Sequence, residues 1–314
     1  MNLINEKAIE AYVKNVTLKQ LLVIPVIVLL LSLSIMGYTT IRTGAPVELG
    51  MEFKGGTAII FDSTNTPDQL KEEFKNYPVV QAREYGGGER KLLQFGPMGE
   101  TELNDVTNKI NSITSNPNTV EIRQMGEVVS KDLQGQAVRA ILLSFLGMAI
   151  VVFIIFRTFV PSMAVVISAF ADIAFAAAMM DVFGIFLSLG TVAALLMLIG
   201  YSVDTDILLT TRLLKRKGET DEKLKSAMKT GLTMTTTTLA ALIALFFVSS
   251  GSYLVSTFTR IDIIRDISIV LIFGLIADLI NTWMTNVGIL RWYMEKGGHR
   301  EKRPEQPRKK RQTA

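Results

Sequence analysis

The chain has 314 residues, 49% of them hydrophobic, with a net charge of +4 and a mean hydropathy of +0.34. It has no cysteine and one histidine, His299, which excludes disulfides, thiolate metal sites and thiol nucleophiles and leaves no His-based metal site or catalytic triad within one chain. No G-x-x-x-x-G-K-[ST] pattern occurs, so nothing points to a nucleotide-binding loop and no cofactor or enzymatic chemistry is expected.

The hydrophobicity is clustered in long runs, and a bilayer core of about 30 Å takes about 20 apolar helical residues. Residues 1–19 carry Lys7, Lys14 and Lys19 ahead of the apolar run 21–41. Within them Leu3, Ile4, Ala8, Ile9, Tyr12, Val13 and Val16 fit a short helix lying on the inner membrane surface. A cleavable signal peptide is the competing reading of this start. The run is long enough to span and no small-x-small site follows it convincingly, so 20–41 is read as an uncleaved first span.

Residues 42–133 read as a small folded domain. Residues 57–61 suit a strand. Thr66 and Pro67 mark a helix start, with a cap residue and proline at the first helical position. Residues 79–84 and 90–95 are strands joined by a turn at Gly86-Gly87-Gly88. A second helix starts at Thr101, with Leu103, Val106, Ile110 and Ile113 on one face, and 119–123 is the last strand. The order β-α-β-β-α-β is the split βαβ, or ferredoxin-like, arrangement.

Five more apolar runs follow. The run 138–156 has only Arg139, at its edge, and 163–180 has Asp172. The run 185–214 holds Asp204, Asp206 and Arg212. The run 232–248 is uncharged and Thr-rich, and 267–294 carries Asp278 centrally and Arg291 near its end. The expected fold class is a polytopic α-helical membrane protein with six transmembrane helices and an α+β ferredoxin-like extracytoplasmic domain between helices 1 and 2. Spans two to six fall within 134–295, with a basic loop near 212–230 and a disordered basic tail at 296–314. Basic residues gather at Arg157, at Arg212–Lys229 and after Arg291, so the positive-inside rule places both termini in the cytoplasm of a multi-pass protein. That topology already explains the basic tail, and no nucleic-acid partner is inferred.

Asp172, Asp204, Asp206 and Asp278 are the candidate functional residues. An ionised Asp at the bilayer centre costs about 2.5–3.5 kcal/mol, and such residues face a bundle interior, a partner or a water path. Each could equally be a structural hydrogen-bonding group. Residues two apart on a helix point about 200° apart, so Asp204 and Asp206 cannot share a face; one faces the bundle and the other a partner or the cytoplasmic end. The threonines at 233 and 235–238 could carry a water chain or simply bond their own helix. Ala169, Ala171, Ala174, Ala176–Ala178, Gly190 and Gly200 allow close helix approach.

Two elements resemble one family. Leu49-Gly50-Met51-Glu52-Phe53-Lys54-Gly55-Gly56-Thr57 is similar to its D-F-x-G-G-T element, with Glu52 in place of Asp. Gly200-Tyr201-Ser202-Val203-Asp204 resembles its fourth-span G-x-[AS]-[LV]-[DN] element. Val129-Ser130-x-x-Leu133 before the second span also fits. Together they resemble the SecF family of protein-export membrane proteins, in its archaeal form, over residues 15–295. The resemblance implies a SecD-like subunit with a similar six-span body, a SecY-type translocation channel, and a translocating polypeptide. It also implies a superfamily, resistance-nodulation-division, whose members couple proton flow to movements of external domains. Bacterial relatives carry Asn-Asp-Thr where this chain has Asp204, Thr205 and Asp206, and only Lys229 stands near their basic residue before the fifth span. Asp204 is accordingly ranked first for proton coupling, then Asp206, with Asp278 and Asp172 behind. The alternatives are a non-energised scaffold of the translocon and a small-molecule or lipid exporter component. The bend at Gly55-Gly56 is read as seating the external domain on the membrane.

Overall fold

A computed structural model describes residues 6–85, 90–215, 218–250 and 262–296. The glycine turn expected at 86–88 and the tail beyond Lys296 lie outside the described residues. The first element, α1 (Glu6–Asn15), is followed at once by α2 (Leu18–Thr43). Thr17 caps α2 with a full capping box through Gln20, and Gly44 ends it in the left-handed conformation, where no Cβ is strained.

The expected membrane-surface helix is therefore present as α1, but its apolar face covers protein. Ile9 and Val13, one turn apart, pack into Leu209, Leu213, Leu224, Ala227 and Met228. Glu10 pairs with Lys225 at 2.6 Å. Ile9 and Val13 lie one helical turn apart, as do Leu209 and Leu213, so two ready-made stripes meet and no lipid is needed to bury them.

After α2 the short helix α3 (Met51–Lys54) leads into a small domain: β1 (Gly56–Asp62), α4 (Pro67–Glu73), β2 (Val79–Glu84), β3 (Arg90–Phe95), α5 (Glu100–Ile113) and β4 (Glu121–Met125). The last strand begins two residues later than its sequence suggests, because Pro117–Thr119 forms a 3-10 turn first. The sheet order is β2-β3-β1-β4, and every pairing is antiparallel. Thr66 and Gln69 close a capping box on α4 with Pro67 at its first turn. One sheet face, with Ile59, Phe61, Leu93 and Phe95, buries against Leu70, Phe74, Val106 and Ile110.

The Gly55-Gly56 bend joins this sheet to the helices. Gly56 has φ +130, and a Cβ there would lie 2.3 Å from the Phe95 carbonyl oxygen. Phe53 is fully buried in α3, and its carbonyl accepts from the Gln134 amide. Gly50 N–H donates to Leu187 O at 2.8 Å, and Leu187 N–H to Glu48 O at 2.7 Å. Arg83 of β2 reaches Asp266 at 3.9 Å. The domain is thus stitched to the helix ends at several points. Gly56→Ala is expected to destabilise the protein by about 2 kcal/mol or more, since both backbone strain and a steric clash oppose it; thermal unfolding of the purified chain measures this, and an unchanged midpoint would contradict the clash.

The remaining helices are α6 (Glu127–Phe156), α7 (Phe159–Phe183), α8 (Leu189–Lys215), α9 (Thr220–Ser249) and α10 (Asp262–Ile280). A π turn (Asn281–Asn286) then passes into α11 (Val287–Glu295). The region read as a basic loop near 212–230 is nearly all helix, leaving only 216–219 between α8 and α9. Lys, Arg and Glu are good helix formers, and Leu224, Ala227 and Met228 recur at helical spacing and are buried. Among the described residues five helices, α2, α6, α7, α8 and α9, are long and apolar enough to cross a membrane. The apolar run 267–294 is helical throughout but passes through the π turn. The apolar stretches of α7 and α8 are 61% and 56% buried, against 11–17% for α2, α6 and α9. The inner pair is therefore α7 and α8, and α10 packs on both.

Candidate functional site: a buried carboxylate cluster

Three helices each bring one carboxylate to the same place. Asp172 comes from α7, Asp206 from α8 and Asp278 from α10, and all three are fully buried. The small residues of α7, with Ala169, Ala171, Ala176 and Ala177 buried around Asp172, let the helices approach closely enough for this. On α10, Gly274 has the same role: a Cβ there would fall 2.3 Å from a Leu198 methyl.

Asp204 does not join them. It lies exposed on the outer side of α8, opposite Asp206, as the 100° step per residue requires. Gly200, one turn earlier, is on the same outer side with open space around it. Met197 and Tyr201 are exposed beside them. Glu52, Phe53, Gly55 and Gly56 belong to the bend described above, at the other end of the helices.

The partners of the cluster come mostly from the π turn. Asn281 Nδ2 donates to Asp172 Oδ1 at 2.7 Å, and Ser202 Oγ donates to Asp172 Oδ2 at 2.5 Å. Thr285 donates to Asn281 Oδ1 at 3.2 Å and so fixes which end of that amide faces Asp172. Asn286 Nδ2 donates to Asp206 Oδ1 at 2.8 Å. Thr282 Oγ1 lies 2.8 Å from Asp206 Oδ1 and 2.9 Å from Asp278 Oδ1. Sequence reading met Ser202 only as part of the fourth-span motif and did not single out Asn281, Thr282, Thr285 or Asn286. The signal of these four is two polar pairs, 281/282 and 285/286, one turn apart in an apolar run. A π turn, with its i→i+5 bonding, is wider than an α turn and is found often at functional sites; here it turns all four side chains inward, and all are buried.

Hydrogen counting sets the chemistry. Asp172 receives donors on both oxygens, and Asp206 Oδ1 receives the Asn286 amide. Thr282 has one hydrogen to give and two carboxyl oxygens to satisfy. It can donate to one while accepting from the other when the Asp206–Asp278 pair holds a proton. No Lys, Arg or His bonds to any of the three carboxyls among the described residues. Among the described residues the side chains that bond these buried carboxyls are neutral donors.

On α9, Thr233, Thr237 and Thr238 donate to carbonyls of their own helix. The π turn is also tied to α1. Tyr12 donates its hydroxyl to the Trp283 carbonyl in the π turn, and Arg291 donates to Val13 O at 3.0 Å. Burial pushes the Tyr12 hydroxyl up to about 12, against a smaller opposing pull from Arg291, so it remains a donor at neutral pH.

Residues 105–296 match the family model described as Protein export membrane protein SecD/SecF, C-terminal. The protein-export membrane protein SecF of Methanolacinia petrolearia is 48% identical over 89% of this chain and 95% of its own. That of Haloferax volcanii is 41% identical over 90% and 94%, and that of Pyrococcus furiosus 42% over 88% and 92%. Among solved structures, that of SecDF, a translocon-associated membrane protein from Thermus thermophilus, matches with a TM-score of 0.63 at 19% identity, over 85% of this chain and 37% of that one. SecDF in its super-membrane-facing form matches with a TM-score of 0.56 at 20% identity, over 88% and 38%. The likeness to these two is one of fold, and this chain spans a little over a third of each.

Proposed function

The chain belongs to the SecD/SecF family of protein-export membrane proteins, as a SecF of the archaeal type, and we propose that it is an accessory subunit of the Sec machinery in the cytoplasmic membrane. It crosses the membrane six times, with α10, the π turn and α11 as the sixth span and both termini in the cytoplasm. The β-α-β-β-α-β domain is a ferredoxin-like body on the outer side. A SecD-like six-span partner covers the outer side of α8, where Asp204 lies, and the pair assists a polypeptide passing through a SecY-type channel.

We further propose that the pair is driven by protons taken up and released at the carboxylate cluster. The observation that carries this is the contact of both Asp206 and Asp278 with the Thr282 hydroxyl, deep between the most buried helices. Asp206 now ranks above Asp204, because Asp206 shares that contact and Asp204 points away from it. The test is proton flux in vesicles holding the chain with its partner, wild type against Asp206→Asn. Loss of flux in the variant supports coupling. Equal flux, or none in the wild type, leaves the chain as a non-energised scaffold.

A further inference from the structure

Resting on the proton-coupling reading, we infer that the Thr282 hydroxyl is the relay through which a proton passes between Asp278 and Asp206. Its oxygen is 2.9 Å from one carboxyl and 2.8 Å from the other. The remaining oxygens, Asp206 Oδ2 and Asp278 Oδ2, are buried without a partner in hydrogen-bond geometry, and the hydroxyls of Ser168 and Ser202 stand beside Asp206 and Asp278 respectively without joining the two. Thr282 is therefore the single hydrogen-bonded link between the two carboxyls among the described residues.

The step balances without any other reactant. In one state the Asp278 O–H donates to Thr282 Oγ1, and the Thr282 O–H donates to the Asp206 carboxylate. As the Thr282 O–H bond breaks toward Asp206, the Asp278 O–H bond breaks toward Thr282. The hydroxyl is regenerated, Asp206 gains a proton and Asp278 becomes the carboxylate. Both states use the same heavy-atom positions, so the transfer needs only motion of hydrogens. They are not equivalent, however. Asn286 Nδ2 donates to Asp206 Oδ1 in both, and a donor favours the anion. The resting state keeps the proton on Asp278.

Other groups face the turn without taking part in the transfer. Asp172 of α7 is held by Ser202 and Asn281. Tyr12 of α1 reaches the turn only through the Trp283 carbonyl. The π turn positions the relay: Thr282 points between α8 and α10 while its neighbour Asn281 serves α7.

Proton flux in vesicles holding the chain with its partner tests this with Thr282→Val and Thr282→Ser, alongside Asp206→Asn. Valine keeps the shape and removes the hydroxyl, and about a hundredfold or greater loss of flux is expected, within the usual span of a proton-transfer group. Serine restores the hydroxyl and should recover most of the flux. Valine flux equal to wild type, or serine no better than valine, overturns the relay. If Asp206→Asn abolishes flux while Thr282→Val does not, the relay fails and the coupling reading stands; if Asp206→Asn keeps flux, the coupling reading itself fails. Infrared spectroscopy of the same complex supplies a readout independent of flux. A protonated-carboxyl band that disappears in Asp278→Asn and shifts in Thr282→Val is expected, and the absence of such a band in the wild type overturns the proposal.

Discussion

Asparagine at position 206 is expected to remove the gradient-dependent part of polypeptide export, while asparagine at position 204 leaves that part and instead loosens the complex. The two residues are two positions apart and meet opposite environments. Asp206 is fully buried, with donors from Thr282 and Asn286. An amide of the same shape there cannot accept and release a proton at neutral pH. One charge crossing the full membrane field at 100 mV is worth about 2.3 kcal/mol. That alone is roughly a 40- to 50-fold change in a two-state ratio, so its loss would leave export at the level seen without a gradient. Asp204 is exposed on an apolar helix face beside Met197, Gly200 and Tyr201. Left against lipid it would cost about 2.5–3.5 kcal/mol, a cost that a polar group of the proposed partner would remove. Its change to Asn is therefore read in co-purification with the partner. Export assays with and without an imposed gradient, together with recovery of the partner in detergent, separate the two. A gradient effect that survives Asp206→Asn, or disappears only in Asp204→Asn, would sink the assignment.

The sequence makes the short-range features legible. Strands 79–84 and 90–95 have the bounds that their composition and flanking glycines suggest, and Thr66-Pro67 starts a helix for the stated capping reason. Single acids in apolar runs are informative in the same direct way: Asp172 and Asp278 are both buried. Periodicity also shows that Asp204 and Asp206 face opposite ways, but not which of them faces inward. That depends on which side of α8 finds α7 and α10, and it is decided by Ala169, Ala176 and Gly274 at the crossings. The π turn is less legible still. A polar pair repeated at one-turn spacing fits an ordinary α-helix as well, and the wider turn is recognised only once the fold shows Asn281 and Asn286 reaching carboxylates of two separate helices. The same applies to α1. Its amphipathic pattern is plain, but lipid and the inner ends of α8 and α9 satisfy it equally until the fold brings Leu209 and Leu213 beneath it.

The largest stability effect is expected at Asn281. Its Nδ2 holds Asp172 at 2.7 Å and its Oδ1 accepts from Thr285 at 3.2 Å, all within a buried polar network. Asn281→Leu keeps approximate volume and removes both contacts. Among the described residues Asp172 then retains Ser202 alone, with no cation bonded to it to replace the lost donor. Stripping one partner from a buried polar pair costs about 2–4 kcal/mol, whereas replacing both partners by apolar groups is nearly neutral. The double change Asp172→Leu with Asn281→Leu is therefore expected to recover most of the loss, and a double-mutant cycle isolates the coupling between the two residues. Reversible unfolding in detergent micelles measures each variant. Additive losses would mean that Asn281 stabilises the bundle by shape alone, and the reading of the π turn as a set of donors aimed at carboxylates would fail with it. A coupling of a few kcal/mol, by contrast, would tie the stability of the innermost helices to the same hydrogen bonds that hold the proton-sharing pair in register.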